Sequence, residues 1–258
     1  MNNNNLKLTI LGSGTCVPSL DRSSCSALVE LQNYKILFDC GPGTMTRLLQ
    51  ANVLISEITH IFLSHFHPDH CGELVNFIFS NKYSGLVRED PLVITGGQGF
   101  LKFYNGLHKV FNNWIELEPG MLILNEMNIT DFNHYNYNHF QVNSMPMNHN
   151  PESLAYKITS LKEKSIVYSG DTDYCTELAD LAKNANILIC ESSFPDSKKV
   201  SGHLSPSLAG KIAQKAGVKK LILTHFYPPC NDFDLERECQ KEFHGEIILA
   251  KDLMSFVL

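Results

Sequence analysis

The sequence predicts a mixed α/β protein made of two similar halves. Three observations lead there. Short runs rich in Ile, Val and Leu alternate along the chain with segments of helical pattern. Ile61-Phe-Leu-Ser-His65-Phe-His-Pro68 is echoed by Leu221-Ile-Leu-Thr-His225-Phe-Tyr-Pro228. Upstream of each lies a second matched pair, Lys35-Ile-Leu-Phe-Asp-Cys-Gly41 and Ser165-Ile-Val-Tyr-Ser-Gly170-Asp171. Each half therefore reads as strand, tight glycine turn, later strand, then Ser or Thr with His at the strand end. Two such halves facing each other would bring both strand ends to one edge.

The apolar runs place strands over 6–11, 26–31, 35–39, 59–63, 92–95, 165–169, 186–190, 220–224 and 246–250. Helical spacing places helices over 43–51, 70–80, 98–111, 175–183, 205–216 and 233–242. Ser205-Pro206 is a strong helix start: a capping residue, then a proline where its missing N–H has no intrahelical partner to lose. Gly217 supplies the left-handed stop. The Asn-rich stretch 125–150 reads as polar strands and turns, because apolar and aromatic residues interrupt it regularly. No linker or low-complexity segment divides the chain, so one domain is expected over 1–258.

Composition narrows the function. The chain has 258 residues, with 21 Lys and Arg against 27 Asp and Glu, a formal net charge of -6. A nucleic-acid partner would therefore need a local basic patch. Met1-Asn-Asn-Asn-Asn5 has neither the basic nor the apolar region of a signal peptide. No apolar run approaches the ~20 residues of a membrane span. None of the eight cysteines, Cys16, Cys25, Cys40, Cys71, Cys175, Cys190, Cys230 and Cys239, forms a CxxC pair, and several sit in or beside apolar strands. They are expected to be reduced and mostly buried, in a cytoplasmic protein.

The eleven histidines carry more information. Ser64-His-Phe-His-Pro-Asp-His70 packs His65, His67, Asp69 and His70 into six residues where a strand ends and a helix begins. His65 and His67, two apart on an extended segment, can point the same way. Imidazole nitrogen and carboxylate oxygen are the donors that Zn²⁺ and its neighbours take. Four donors cannot fill two metal shells, so partners are expected downstream. His149 in Met145-Pro-Met-Asn-His149, Asp171 after Gly170, and His225 after Leu221-Ile-Leu-Thr are the candidates, each at or near the end of an expected strand. His60, His108, His134, His139 and His244 read as ordinary surface or core histidines, and Cys71 as a buried helix residue.

The ordered set H-x-H-x-D-H, then His, then G-D-T, then T-H resembles the metallo-β-lactamase superfamily from about Leu6 to Tyr227. That resemblance implies a four-layer αββα sandwich with a dinuclear site at one edge. His65, His67 and His149 would hold one metal and Asp69, His70 and His225 the other. Asp171 would bridge them, with a water or hydroxide between. Zn²⁺ is the expected ion, with Mn²⁺ or Fe as alternatives. Leu11-Gly-Ser-Gly-Thr-Cys-Val-Pro18, Pro146-Met-Asn-His149 with Tyr156, and Glu191 followed by Gly202-His203-Leu-Ser resemble the ribonuclease Z-like branch. There His203 would donate a proton to the leaving group and Glu191 would orient it, while Asp69 would also orient the nucleophile.

Two departures bear on substrate. Pro68 stands where tRNA-processing members usually have Gly. Only 21 residues separate His149 from Asp171, too few for the tRNA-grasping arm inserted there in those enzymes. The resemblance thus implies a hydrolase, foremost a phosphodiesterase for a small phosphodiester or nucleotide. The alternatives are a tRNA 3′-processing endoribonuclease lacking the arm, and a thioester, lactone or lactam hydrolase, which needs the metals but no His203–Glu191 pair. Lys198-Lys199 and Lys219-Lys220 are the notable basic pairs. An RNA partner would draw on a homodimer to assemble a basic surface. No membrane role is expected.

Overall fold

A computed structural model describes residues 5–85, 88–130 and 132–258. The polar start over 1–4, and position 131 in the Asn-rich stretch, lie outside the described residues. The first half contains β1 (Leu6–Gly12), β2 (Ser26–Leu31), β3 (Tyr34–Phe38), α1 (Thr44–Gln50), β4 (His60–Phe62), α2 (Pro68–Cys71), α3 (Leu74–Tyr83), β5 (Leu92–Gly96), α4 (Phe100–Phe111) and β6 (Leu122–Glu126). The second contains β7 (Asn133–Asn136), β8 (Phe140–Pro146), β9 (Leu154–Ser160), β10 (Ser165–Tyr168), α5 (Thr176–Leu181), β11 (Ile187–Glu191), α6 (Pro206–Ala216), β12 (Lys220–Thr224), α7 (Leu235–Gln240) and β13 (Glu246–Leu249). β14 (Ser255–Val257) returns to the first sheet.

The strands form two seven-stranded sheets, in the orders β14-β1-β2-β3-β4-β5-β6 and β13-β12-β11-β10-β9-β8-β7. Strand alternation explains the layering, because successive side chains leave a strand on opposite faces. Ile36, Phe38 and Phe62 point inward and join Val142 and Ile158 of the second sheet in one buried cluster. Leu37, Ile61 and Leu63, the residues between, point outward and pack with Leu48, Phe77 and Phe100 of α1, α3 and α4. α5 and α6 cover the far side with Leu178, Leu181 and Ile212. Phe38 stacks on Tyr168 with ring centroids 5.1 Å apart, joining β3 to β10 across the sandwich. The architecture is the expected αββα sandwich.

β6, β9 and β14 were not among the expected strands, and three further details differ from expectation. The helix expected over 70–80 is two helices, α2 and α3, broken at Gly72–Glu73. The N–H of Glu73 turns away to the Cys40 carbonyl, and a Cβ on Gly72 would lie 2.3 Å from the Pro68 carbonyl oxygen. The single turn of α2 is thereby fixed against the β3–α1 turn. Ser205 sits at the start of α6, but its side chain makes no capping bond. Asp196 instead accepts from the Ser207 N–H at 3.1 Å. Finally, β3 lies directly beside β4, whereas β11 separates β10 from β12. The halves are similar without being equivalent.

Candidate metal centre

β3, β4 and β5 run parallel to one another, as do β10, β11 and β12. Their carboxyl ends open on one edge of the sandwich, and the chain places its histidines and carboxylates there. His65 follows β4, Asp69 and His70 occupy α2, His149 follows β8, Asp171 follows β10 and His225 follows β12. Two glycines permit this approach. A Cβ on Gly41 would lie 2.0 Å from the Asp69 carbonyl oxygen, and Gly170, at φ 56°, would meet Ser64 Cβ at 2.5 Å. His225 itself holds φ 62°, a left-handed conformation unusual for a non-glycine residue and characteristic of functional turns.

All seven expected ligands converge, in two groups. His65, His67, His149 and Asp171 form one; Asp69, His70 and His225 form the other, and His203 makes an overlapping third set with Asp171 and His225. Asp171 stands between them. Its Oδ2 is 3.8 Å from His65 Nε2 and 3.9 Å from His149 Nε2, while its Oδ1 is 3.3 Å from His70 Nε2 and 3.5 Å from His225 Nε2. Asp69 Oδ2 is 3.5 Å from His225 Nε2. His67 is the exposed member, its Nδ1 3.3 Å from His149 Nε2 and its Nε2 3.0 Å from the Asn150 amide.

The hydrogen bonds behind the site decide which ring nitrogens face it. Asp39 Oδ2 accepts from His70 Nδ1 at 2.7 Å, from Ser64 Oγ at 2.8 Å and from Tyr168 Oη at 2.7 Å. Ser64 has then given its proton away, so His65 Nδ1, 3.0 Å off, donates to Ser64 Oγ. Ser193 Oγ likewise donates to Glu191 and accepts from His225 Nδ1 at 2.8 Å. His149 Nδ1 donates to the Gly202 carbonyl at 2.8 Å. Four imidazoles thus keep their protons on Nδ1 and present bare Nε2 lone pairs to one another, the outer-shell pattern of metal-binding histidines.

Among the described residues, His65 Nε2 and Asp171 Oδ1 are buried without a hydrogen-bond partner. Such groups are costly unless something else satisfies them. Divalent cations among these nitrogen and carboxylate donors fit that requirement. Electrostatics is mixed: burial opposes charge on His70, but Asp171 and Asp39 overcome it and raise its pKa well above the ordinary histidine range, a proton that a cation would displace. Burial and the neighbouring His70 push His65 well below the ordinary histidine range, toward the neutral ligand form. Burial also lowers His67, reinforced by His149. Burial would raise Asp69, but with no cation between them His225 and His70, protonated at Nε2 as well, outweigh it by a hydrogen bond and by charge and hold the carboxyl at about 2; a cation would take the place of those Nε2 protons.

His203 Nδ1 lies 3.1 Å from Glu191 Oε1 and 3.8 Å from Asp171 Oδ2. Glu191, at the end of β11, is itself held by the Thr172 N–H at 2.7 Å and the Leu204 N–H at 3.2 Å. Burial opposes the charged form of His203; the Glu191 hydrogen bond and the charges of Glu191 and Asp171 overcome it and raise the pKa. His60, His108, His134, His139 and His244 stand outside these groups, and Cys71 is buried in α2, its thiol bonded to the Phe66 carbonyl. Lys199 pairs with Asp173 at 2.9 Å. Asp39 and Ser193 were not singled out from the sequence. The only trace of Asp39 there was its place before the glycine turn in Lys35–Gly41, and Ser193 left none.

A family model described as "Anti-Pycsar protein Apyc1" matches residues 6–244. The "Ribonuclease Z" of Methanosarcina acetivorans is 28% identical over 300 aligned positions, covering 96% of this chain and 97% of that protein. That alignment is longer than the 258-residue chain, so the relative carries insertions that this chain lacks. Among solved structures, the metallo-β-lactamase fold protein YhfI from Bacillus subtilis superposes with a TM-score of 0.84 at 22% identity, over 99% of this chain and 100% of that one. The short form of human tRNase Z superposes with a TM-score of 0.80 at 23% identity, over 97% and 98%. The match to the family model over nearly the whole length, on this fold and this ligand set, makes the chain a member of the Apyc1 family of anti-Pycsar proteins, in the ribonuclease Z-like branch of the metallo-β-lactamase superfamily.

Proposed function

We propose that the chain is a dinuclear-metal phosphodiesterase acting on a small phosphodiester such as a cyclic nucleotide. His65, His67 and His149 would hold one ion, Asp69, His70 and His225 the other, and Asp171 both. The nitrogen and oxygen donors suit Zn²⁺ and also accept Mn²⁺ or Fe. Bound there, two divalent ions would supply Lewis acidity and a nucleophile from water at neutral pH.

The observation that carries the reading is the His203–Glu191 pair beside Asp171. Attack by water on phosphorus forms one P–O bond and breaks another, and the departing alkoxide needs a proton. His203, held through Nδ1 by Glu191, leaves Nε2 free to give that proton. Asp69 can orient the nucleophile through its carboxylate. A thioester or lactone hydrolase has no comparable use for such a pair, so the reading favours phosphodiesters over the third alternative. A tRNA 3′-processing role remains the runner-up, supported by the relatives named ribonuclease Z. We also read residues 1–258 as one domain, because a single buried cluster runs between both sheets, and as cytoplasmic, because the eight cysteines are free. Among the described residues no helix is long and apolar enough to cross a membrane.

The test is hydrolysis of bis-p-nitrophenyl phosphate by protein of measured metal content. Close to two divalent ions per chain are expected, with turnover lost on chelation and restored by Zn²⁺ or Mn²⁺. Efficient thioester or lactone hydrolysis without phosphodiester turnover would overturn the reading.

A further inference from the structure

The first sheet has a second edge. Opposite the metal centre, where β3, β4, β5 and β6 begin, the surface opens into a cavity of about 290 Å³. Tyr34, Val93 and Ile123 give it an apolar lining, to which His60, His139 and Asp90 add polar groups. The length of β4 separates it from His65. A mostly apolar cavity with a few convergent polar groups is the usual form of a small-molecule site.

Those polar groups ask for a donor. Thr59 Oγ1 donates to the Lys35 carbonyl at 3.1 Å and accepts from the Lys35 N–H at 3.2 Å, so its proton is committed. His60 Nδ1, 3.0 Å away, therefore donates to Thr59 Oγ1. Nε2 is left as a bare lone pair on a ring that is only 5% exposed, and among the described residues it has no hydrogen-bond partner. His139 Nδ1 is likewise buried without a partner among them. A buried acceptor left unmet is costly, and a ligand N–H would satisfy it.

Charge points the same way. The adjoining surface cavity shares Asp90 and adds Glu57 and Glu89. The cations nearby are engaged. Lys35 pairs with Glu57. Arg88, within electrostatic reach of Asp90, donates to the Ile58 carbonyl at 2.6 Å, the Ile55 carbonyl at 2.9 Å and Asn81 Oδ1 at 2.8 Å. Among the described residues no lysine or arginine forms an ion pair with Asp90 or Glu89. A phosphate or carboxylate would be repelled here. A flat cation would find the ring of Tyr34, an acceptor inside and a carboxylate at the rim.

We infer that this cavity is a second ligand site, separate from the metal centre, for a small flat cation that carries N–H donors, of the class of aryl amidines and protonated amino-heterocycles. One N–H meets His60 Nε2, the ring lies against Tyr34, and the charge faces Asp90. The site stands independently of the phosphodiesterase reading.

Benzamidine, benzamide and benzoate share a shape and differ in charge, so their titration into the intact protein, followed by saturation-transfer NMR, tests the site. Benzamidine should bind roughly tenfold or more tightly than benzamide, the scale of a charge-assisted over a neutral hydrogen bond, and benzoate should not bind. Asp90→Asn, at an exposed position, should bring benzamidine down to the level of benzamide. Ile123→Arg, also exposed, sets a cation at the opening and should abolish benzamidine binding while admitting benzoate. His60→Phe removes the acceptor that both donors use and should weaken benzamidine and benzamide alike. No binding of benzamidine, benzoate bound as tightly as benzamidine, or benzamidine binding that Asp90→Asn and Ile123→Arg both leave unchanged would each overturn the inference.

Discussion

At the scale of single residues, the proposed centre separates groups that would hold metal from groups that would use it. Asp39 and His203 mark the two sides. Asp39 touches no expected ion, yet three donors end on its Oδ2, and through Ser64 and His70 it sets the ring orientation of two ligands. It is a positioning residue. Asp39→Asn keeps the shape but removes the charge, and metal affinity should fall roughly 10–100-fold, the usual effect of losing a carboxylate behind a ligating histidine. His203→Ala should retain both ions and lose roughly 10²–10⁴-fold in turnover, the range of general-acid effects. That loss should shrink for 4-nitrophenolate esters, whose leaving group departs without a proton. Metal titration by calorimetry on both variants, beside rates on nitrophenyl and alkyl esters, checks the split. Equal losses for both leaving groups would mean that His203 acts in some other way.

At the scale of elements, burial makes a pH-dependent device of β4. His60 points between the sheets among Tyr34, Phe62, Tyr137 and Phe140, its Nδ1 bonded to Thr59 Oγ1 at 3.0 Å. Asp90 and His139 line the cavity beside it. Burial lowers its pKa from 6.5 to about 4. A histidine depressed in the folded state binds its proton more readily unfolded, so stability is complete above pH 6.5. It falls as pH drops toward 4, by at most about 3 kcal/mol for this one group. His60→Phe should flatten that part of the slope. Urea unfolding at pH 7.5 and 5.0 in both proteins is the measurement, and an identical slope in the two would refute the assignment.

What the sequence disclosed follows the same physics. Most central strands were legible because both of their faces are buried and they read as apolar runs, as in 26–31 and 220–224, but β9 was not, because Lys157 and Thr159 interrupt its buried positions. β6 and β14 were not, because their exposed edge positions break the pattern; Ile123 and Val257 are solvent-facing. Of the seven candidate ligands, His65, His67, Asp69 and His70 were legible because donor chemistry is dense around 64–70, and His149, Asp171 and His225 because they stand at or near the ends of expected strands and match the family's ordered motifs. Asp39 and Ser193 were hidden because their role lies in who accepts whose proton, which only folded geometry shows.

At the scale of the whole molecule, charge and shape speak to substrate size. A tRNA-processing enzyme must meet many phosphates with Lys and Arg, and its affinity then falls steeply with salt. This chain carries a formal net charge of -6. Three of the four lysines in its basic pairs are also engaged: Lys199 faces Asp173 at 2.9 Å, Lys198 lies 5.1 Å over Phe233, and Lys220 binds Glu246 at 2.9 Å. The segment between His149 and Asp171, where a tRNA-grasping arm would be inserted, is filled by the antiparallel pair β9 and β10, with only residues 161–164 between them. A small diester asks for less: the metals and His203. Isolated protein should therefore hydrolyse small phosphodiesters measurably and cut precursor tRNA poorly, with rates on the small diester little changed between low and physiological salt. A homodimer that joined two surfaces into a basic face is the arrangement that would defeat this expectation, so sedimentation belongs beside the kinetics. Cleavage of precursor tRNA at its 3′ trailer orders of magnitude more efficient than any small-diester turnover, and steeply salt-dependent, would put the tRNA-processing reading in its place.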